Sequence, residues 1–304
     1  VSDVIAVQSL TKRFGAVEAV RGLSFAVRRG EMFGLIGPDG AGKTTTIRLL
    51  CGLQHADSGE VRVLGLDPVR DHRAITGSVG YLSQQFSLYA DLSVDENIAF
   101  FAEIHGMRRY AGARDRLLEL TGLLPFRKRL AQQLSGGMKQ KLALACTLVH
   151  EPSVILLDEP TTGVDPVSRR EFWKLLAEFL SRGVTIVMAT PYLDEAERCS
   201  RVALLHQGRL LALDEPGALR ATLPGSLYEV IVSDHRRLAA ALAKLPGVSG
   251  VQMFGERAHV RLAPGRALDL ASALAAQGLE VHSVRPIAAS LEDVFIARLA
   301  EAHT

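Results

Sequence analysis

Cysteine is scarce in this chain, charge is nearly balanced, and long apolar runs are missing. The three cysteines, Cys51, Cys146 and Cys199, are far apart and odd in number, and no two have metal-ligand spacing. Each sits in an apolar or helical context, so they read as small core residues suited to a reducing cytosol. The formal net charge of +2 with 22% charged residues gives no reason to expect nucleic-acid binding. No uncharged apolar run reaches ~18 residues, so no membrane-spanning helix is expected. The most apolar candidate, 142–150, is ended by Glu151 and Pro152. The first residues, VSDVIAVQSL, lack a basic region followed by an apolar one, which argues against a signal peptide. The chain begins with Val, as an alternative start or a piece of a longer product would.

What is present is 304 residues, enough for one large domain and a smaller one. Strand-like and helix-like patterns alternate over roughly the first two thirds, which argues α/β. MFGLIG (32–37) is a short apolar run ending at Gly, and TTTIRLLCGL (44–53) follows with helical length. SVILLD (153–158) reads as a strand buried on both faces. Asp165 and Pro166 read as an N-cap and first-turn proline. The helix they open carries Phe172, Leu176, Phe179 and Leu180 on one face and stops at Gly183. The pattern changes after residue 215: a linker over 216–225 leads to 226–304, which reads β-α-β-β-α-β with a closing helix over 290–302. That order predicts a small ferredoxin-like α+β appendix.

GPDGAGKT (37–44) fits G-x-x-x-x-G-K-[ST] between a strand and a helix, the context that motif needs. Its glycines permit tight turns and turn backbone N–H groups toward phosphate oxygens, and the helix behind adds its positive end. The candidate nucleotide-binding residues are therefore Gly37, Pro38, Asp39, Gly40, Ala41, Gly42, Lys43, Thr44 and Thr45. Lys43 would reach the outer phosphates and Thr44 would ligate magnesium. VILLDE (154–159) supplies the second half. Asp158, at the end of an apolar strand, would help to hold the magnesium, and Glu159 would orient or deprotonate water near the γ-phosphate. An apolar run followed by two acids says little alone; behind a phosphate loop it is informative.

LSGGMKQKL (134–142) has Leu-Ser-Gly-Gly opening a helix ahead of the Asp-Glu strand. Physically it is a second anion site made of a hydroxyl, two glycine N–H groups and a helix N-terminus. With the other motifs in order, the stretch 4–215 resembles the ATPases of ABC transporters, and so implies an α/β P-loop NTPase fold with a helical signature subdomain at about 86–150. The resemblance implies that Phe14, in KRFG, stacks on adenine. Gln84, in GYLSQQ, would touch magnesium and sense a transmembrane partner, with Gln85 as the neighbouring alternative. TTGVDP (161–166) is similar to the loop that crosses a dimer interface. Such ATPases work as head-to-tail dimers, each ATP lying between one subunit's P-loop and the other's Ser135-Gly136-Gly137 equivalent. DEPTTGVDP, MKQKL, YLDEAERC and SLEDVF (290–295) look like the bacterial multidrug and daunorubicin-resistance exporter ATPases. In that group the ATPase is a separate peripheral polypeptide at the cytoplasmic membrane face, docked on an integral-membrane permease. Phe33, Asp39 and Met138 point to a branch in which two such modules occur in tandem.

One position departs from the pattern. Where the family has a histidine contacting the γ-phosphate, this chain reads Ala189-Thr190-Pro191-Tyr192. Proline offers neither a side-chain donor nor an N–H. His150 and His206 read as ordinary surface or packing residues rather than substitutes, and Tyr192, whose family counterparts sit beside an existing histidine, is only a slightly better candidate. The expectation is a Mg2+–ATP-binding subunit that binds nucleotide and clamps a dimer but hydrolyses slowly in its own site. The second ATPase subunit would be another copy or a histidine-bearing partner. The alternatives are a non-hydrolysing regulatory subunit and a soluble protein of this family without a permease.

Overall fold

The computed structural model describes residues 2–85 and 88–302. It divides into two compact units, Val1–Leu213 and Asp214–Thr304.

The first unit opens with β1 (Asp3–Phe14), β2 (Val17–Arg28), β3 (Met32–Ile36), α1 (Lys43–Leu50), β4 (Ser58–Val63), α2 (His72–Ser78) and β5 (Val79–Leu82). The helices α3 (Val94–Ile104), α4 (Ala111–Thr121) and α5 (Gly136–Leu148) follow. Then come β6 (Val154–Asp158), α6 (Pro166–Ser181), β7 (Thr185–Thr190), α7 (Leu193–Ala196), β8 (Arg201–His206) and β9 (Arg209–Asp214). Two sheets result: an antiparallel one in the order β2-β1-β4, and a six-stranded one in the order β5-β6-β7-β3-β8-β9. In the larger sheet β5, β6, β7, β3 and β8 pair parallel.

Every residue of β3, β6 and β7 is buried, which is why these segments are mostly apolar in sequence. Ile5, Leu10 and Leu23 of the antiparallel sheet share one core with Phe33 and Leu35 of β3 and Ile47 and Leu50 of α1. Phe25 stacks on Phe33 at 5.3 Å between ring centres, joining the two sheets. The strand order matters for function. It sets β3 beside β7 and β7 beside β6, so three far-apart segments of sequence end side by side at the carboxyl edge of the sheet.

The expected helical subdomain begins at residue 86, outside the described residues; within them 88–150 holds α3, α4 and α5. Ser93 and Glu96 close a capping box at the start of α3. Asp165 caps α6 as expected, accepting from the N–H groups of Val167 and Ser168. The buried face of α6 is wider than the sequence pattern predicts: Trp173 and Leu175 are buried as well, while Leu180 is half-buried.

The second unit holds α8 (Pro216–Ala221), β10 (Ser226–Val232), α9 (His235–Leu242), β11 (Val248–Phe254), β12 (Arg257–Leu262), α10 (Leu270–Ala275), β13 (Val281–Pro286) and α11 (Leu291–Ala302). Its sheet runs β11-β12-β10-β13 with all neighbours antiparallel, the ferredoxin-like order. Val230, Val260, Leu238, Leu242, Leu270 and Leu274 form its core. The expected linker at 216–225 differs from what is observed. Pro216 occupies the first helical position of α8, where its fixed φ favours a helix, and Leu219 is buried, so this segment belongs to the second unit.

Candidate functional site

At the carboxyl edge of β3 the chain turns through Gly40 (φ 77°) and Gly42 (φ 96°) into α1. A side chain at Gly42 would run into the carbonyl oxygen of Ala19, so both its φ and its packing call for glycine. No side chain caps α1, which leaves its N-terminal N–H groups for an anion. Gly208 N–H, in the β8–β9 turn, donates to the Ala41 carbonyl at 3.1 Å and braces the loop from outside.

The Lys43 side chain is buried against the loop and donates to the carbonyl oxygens of Gly37 (2.9 Å) and Pro38 (3.1 Å). It also forms an ion pair with Glu159 at 3.3 Å. One residue on, the Thr44 hydroxyl donates to Asp158 Oδ1 at 2.8 Å. The other carboxylate oxygen of Asp158 is buried and has no hydrogen-bond partner among the described residues. Burial pushes the Asp158 carboxyl above the usual carboxylate range, while the Thr44 hydrogen bond pulls it down. A buried orphan carboxylate oxygen beside a hydroxyl is a fitting donor set for a hard divalent cation such as magnesium.

Glu159 follows β6 with φ 48°, a strained conformation for a non-glycine residue. Its N–H is held by the Ala189 carbonyl of β7 at 2.9 Å. Its carboxylate accepts from Gln84 Nε2 at 3.0 Å and from the Thr162 hydroxyl at 3.4 Å. Gln84 rather than Gln85 therefore reaches the site. Beyond β7, Pro191 and Tyr192 line the same cleft, whose volume is about 660 Å³.

Asp39, Gly40, Ala41, Gly42, Lys43, Thr44, Thr45, Gln84 and Glu159 all line the cleft. Gly37 and Pro38 contribute through the carbonyls that hold Lys43, and Asp158 lies behind Thr44. Phe14 is set differently. It is half-exposed at the end of β1 with the Lys12 ammonium 5.4 Å from its ring centre, and its hairpin partner Val17 lines the cleft in its place. Ser135, Gly136 and Gly137 do not line the cleft. Ser135 caps α5, accepting from Met138 N–H at 3.3 Å, and Ser135 and Gly136 are exposed. A side chain at Gly137 would meet Ser168 of α6, so this glycine is needed for close helix packing as well.

Neither His150 nor His206 lines the cleft, as their sequence context suggests. His150 stacks on His105 with ring centres 3.7 Å apart, its Nε2 lying 3.4 Å from the Val79 carbonyl oxygen. His206 ends β8 and is not part of the cleft wall, whereas the next residue, Gln207, is. Sequence reasoning missed Val17, Thr162 and Gln207 in the cleft wall. It also missed Glu195, a carboxylate 1% exposed that accepts the hydroxyls of Thr161 (2.6 Å) and Thr190 (2.7 Å). Two threonines next to the motif ends, with an acid in the following short helix, were the signal available for Glu195.

The family model described as ABC transporter matches residues 20–162. A probable multidrug ABC transporter ATP-binding protein of Escherichia coli, YbhF, is 43% identical over 308 residues, covering 99% of this chain and 53% of that protein. The chain thus spans about half the length of that relative. The daunorubicin resistance ATP-binding protein DrrA3 of Streptomyces coeruleorubidus is 35% identical over 96% of this chain and 94% of its own length. Among solved structures, cbiO1 of Clostridium perfringens, part of the ABC transporter complex cbiONQ, superposes with a TM-score of 0.66 at 28% identity, over 73% of this chain and 92% of its own.

Proposed function

The chain belongs to the ATP-binding proteins of ABC transporters, and from that premise we propose that it binds and hydrolyses Mg2+–ATP to drive an exporter, docked on an integral-membrane permease at the cytoplasmic face. The observation that carries this reading is the convergence of Lys43, Thr44, Gln84 and Glu159 on one cleft, with Asp158 directly behind Thr44. Relatives named for multidrug and daunorubicin resistance support the exporter assignment. Among the described residues no helix is long and apolar enough to cross a membrane, so the pathway would have to come from another segment or polypeptide.

In this reading the loop N–H groups and the α1 N-terminus bind the phosphates, and Lys43 turns from Glu159 toward the outermost one. Thr44, Asp158 and Gln84 would hold Mg2+, which would supply positive charge to offset the charge of the phosphates. Glu159, released from Lys43 and oriented by Gln84 and Thr162, accepts a proton from water. The water oxygen then bonds to the γ-phosphorus as the bond to the ADP oxygen breaks. Val17, in the cleft wall, offers apolar surface to the base. The signature residues Ser135, Gly136 and Gly137 lie apart from this cleft, so they would serve a second ATPase subunit in a head-to-tail dimer, with that subunit's signature completing this cleft.

Pro191 borders the cleft without a donor, and in this reading that makes the site slow. One positioned electrostatic group is worth ~100–1000-fold in rate. A non-hydrolysing nucleotide clamp is the second reading that the same proline favours. Titration of the purified chain with a fluorescent ATP analogue and Mg2+, together with phosphate-release kinetics, separates them. Binding with slow turnover supports the first reading and binding with none the second. Absence of binding rejects both.

A further inference from the structure

Between β6 and β7 lies a polar contact that the hydrolysis scheme above does not use. Glu195, on α7, is buried, and its two carboxylate oxygens are divided between two strand ends. Oε1 accepts the Thr161 hydroxyl at 2.6 Å, two residues beyond Glu159. Oε2 accepts the Thr190 hydroxyl at 2.7 Å, immediately before Pro191. Both threonines are themselves buried. The Thr190 hydroxyl in turn accepts Tyr192 N–H at 3.1 Å, and the Thr190 carbonyl accepts the P-loop Gly37 N–H at 3.4 Å. Among the described residues no cation pairs with Glu195, so two hydroxyl donors hold this buried carboxylate.

We propose that Glu195 is a positioning residue for hydrolysis: by tying Thr161 to Thr190 it fixes the spacing between the Glu159 turn and the Pro191 end of β7. Glu159 has φ 48°, and such strain persists only where surrounding contacts over-determine it. The Glu159 N–H bond to Ala189 is one such contact, and the Thr161–Glu195–Thr190 bridge runs beside it between the same two strand ends. The main-chain register of β7 against β6 ends at Asp158 and Ala189, and this buried bridge ties the two chains together just beyond that point. The carboxylate reaches neither the cleft nor the reacting atoms and acts through Glu159 and the β7 end.

This inference rests on the reading of the cleft as a Mg2+–ATP site, and its test has one arm that does not. In the full chain without nucleotide, amide hydrogen exchange is compared for wild type, Glu195→Gln, and the Thr161→Val/Thr190→Val pair. Both variants should lose protection about tenfold or more over 157–163 and 187–192, with the other strands unchanged. Unchanged protection there overturns the proposal. In the second arm the variants should lower ATP turnover by about tenfold to a hundredfold, as small misplacements of reacting groups do, with affinity for the fluorescent ATP analogue within twofold of wild type. Adding Glu195→Gln to the threonine pair should cost little more, since all three act through one carboxylate. Affinity and turnover falling together with melting temperature would mark Glu195 as a packing residue only and overturn the proposal. Wild type failing to bind the analogue would instead reject the functional reading, leaving the exchange result to decide the bridge.

Discussion

Lys43 and Glu159 meet at 3.3 Å with both side chains almost wholly buried, one from the phosphate loop and one from the end of β6. Neither is a surface pair that solvent could relieve. Removing one partner strands the other charge in the interior, which costs about 3 kcal/mol or more. Lys43→Ala should therefore reduce stability by about that amount and abolish binding of the ATP analogue. Adding Glu159→Gln should recover much of the stability without recovering binding. Urea unfolding followed by the fluorescence of Trp173, which lies in the same unit, measures the first effect. If the double variant is no more stable than the single one, the pair is not coupled.

Pro191 borders the cleft between Thr190 and Tyr192. Replacing it with histidine adds a ring donor and a backbone N–H at one stroke. Pro191→His should raise ATP turnover by about tenfold or more, while affinity for the ATP analogue changes little. Phosphate-release rates at saturating ATP check this. A variant no faster than wild type would mean that proline is not what limits the site, and the slow-site reading would fall.

The cleft was legible where chemistry forces residue type on spacing. The phosphate loop needs small residues at fixed steps, and the Asp-Glu pair needs a buried strand before it; both patterns survive in one dimension. The strand order that sets β7 between β6 and β3 was implied only through resemblance, because nothing local encodes which strands become neighbours. Glu195 illustrates what stayed hidden. Its partners Thr161 and Thr190 come from two different strand ends, and an acid in a short helix looks like a solvated residue until the sheet is closed. The Val17-for-Phe14 difference has a similar cause, since the two are cross-strand partners at the end of one hairpin and only the fold says which one lines the cleft.

The stacked imidazoles of His105 and His150 predict an acid-sensitive first unit. Burial lowers the pKa of both, and His150 drops from 6.5 to about 4 through burial and through its neighbour His105. The folded state thus favours the neutral ring, and the folded pKa lies below the unfolded one. The stabilisation is whole above about pH 6.5 and is lost as pH falls toward 4. After allowance for the partial exposure of the ring, wild type should lose about 1 to 2 kcal/mol between pH 7 and pH 5. His150→Phe keeps a flat ring on His105 and removes the titration, so its loss over the same range should be smaller by that amount. Urea midpoints at the two pH values decide it, and parallel losses in both proteins would refute the assignment.

Asp293 holds α11 in two ways at once. Its Oδ2 accepts the N–H and hydroxyl of Ser290 at 2.9 and 2.6 Å, while Ser290 Oγ accepts Asp293 N–H at 3.2 Å, closing a capping box. Its Oδ1 lies 2.8 Å from Nδ1 of His259 on β12, pinning the helix start to the sheet. A lost cap and a lost buried hydrogen bond cost about 1 kcal/mol each. Asp293→Ala should therefore weaken α11 by about 2 kcal/mol, a drop of roughly thirtyfold in amide protection over 291–302. Ser290→Ala removes only the cap and should lower protection about fivefold. Because the second unit has its own core, these losses should leave exchange in β3, β6 and β7 unchanged. If Ser290→Ala proves as damaging as Asp293→Ala, the His259 contact contributes nothing and α11 is held by its cap and its apolar face.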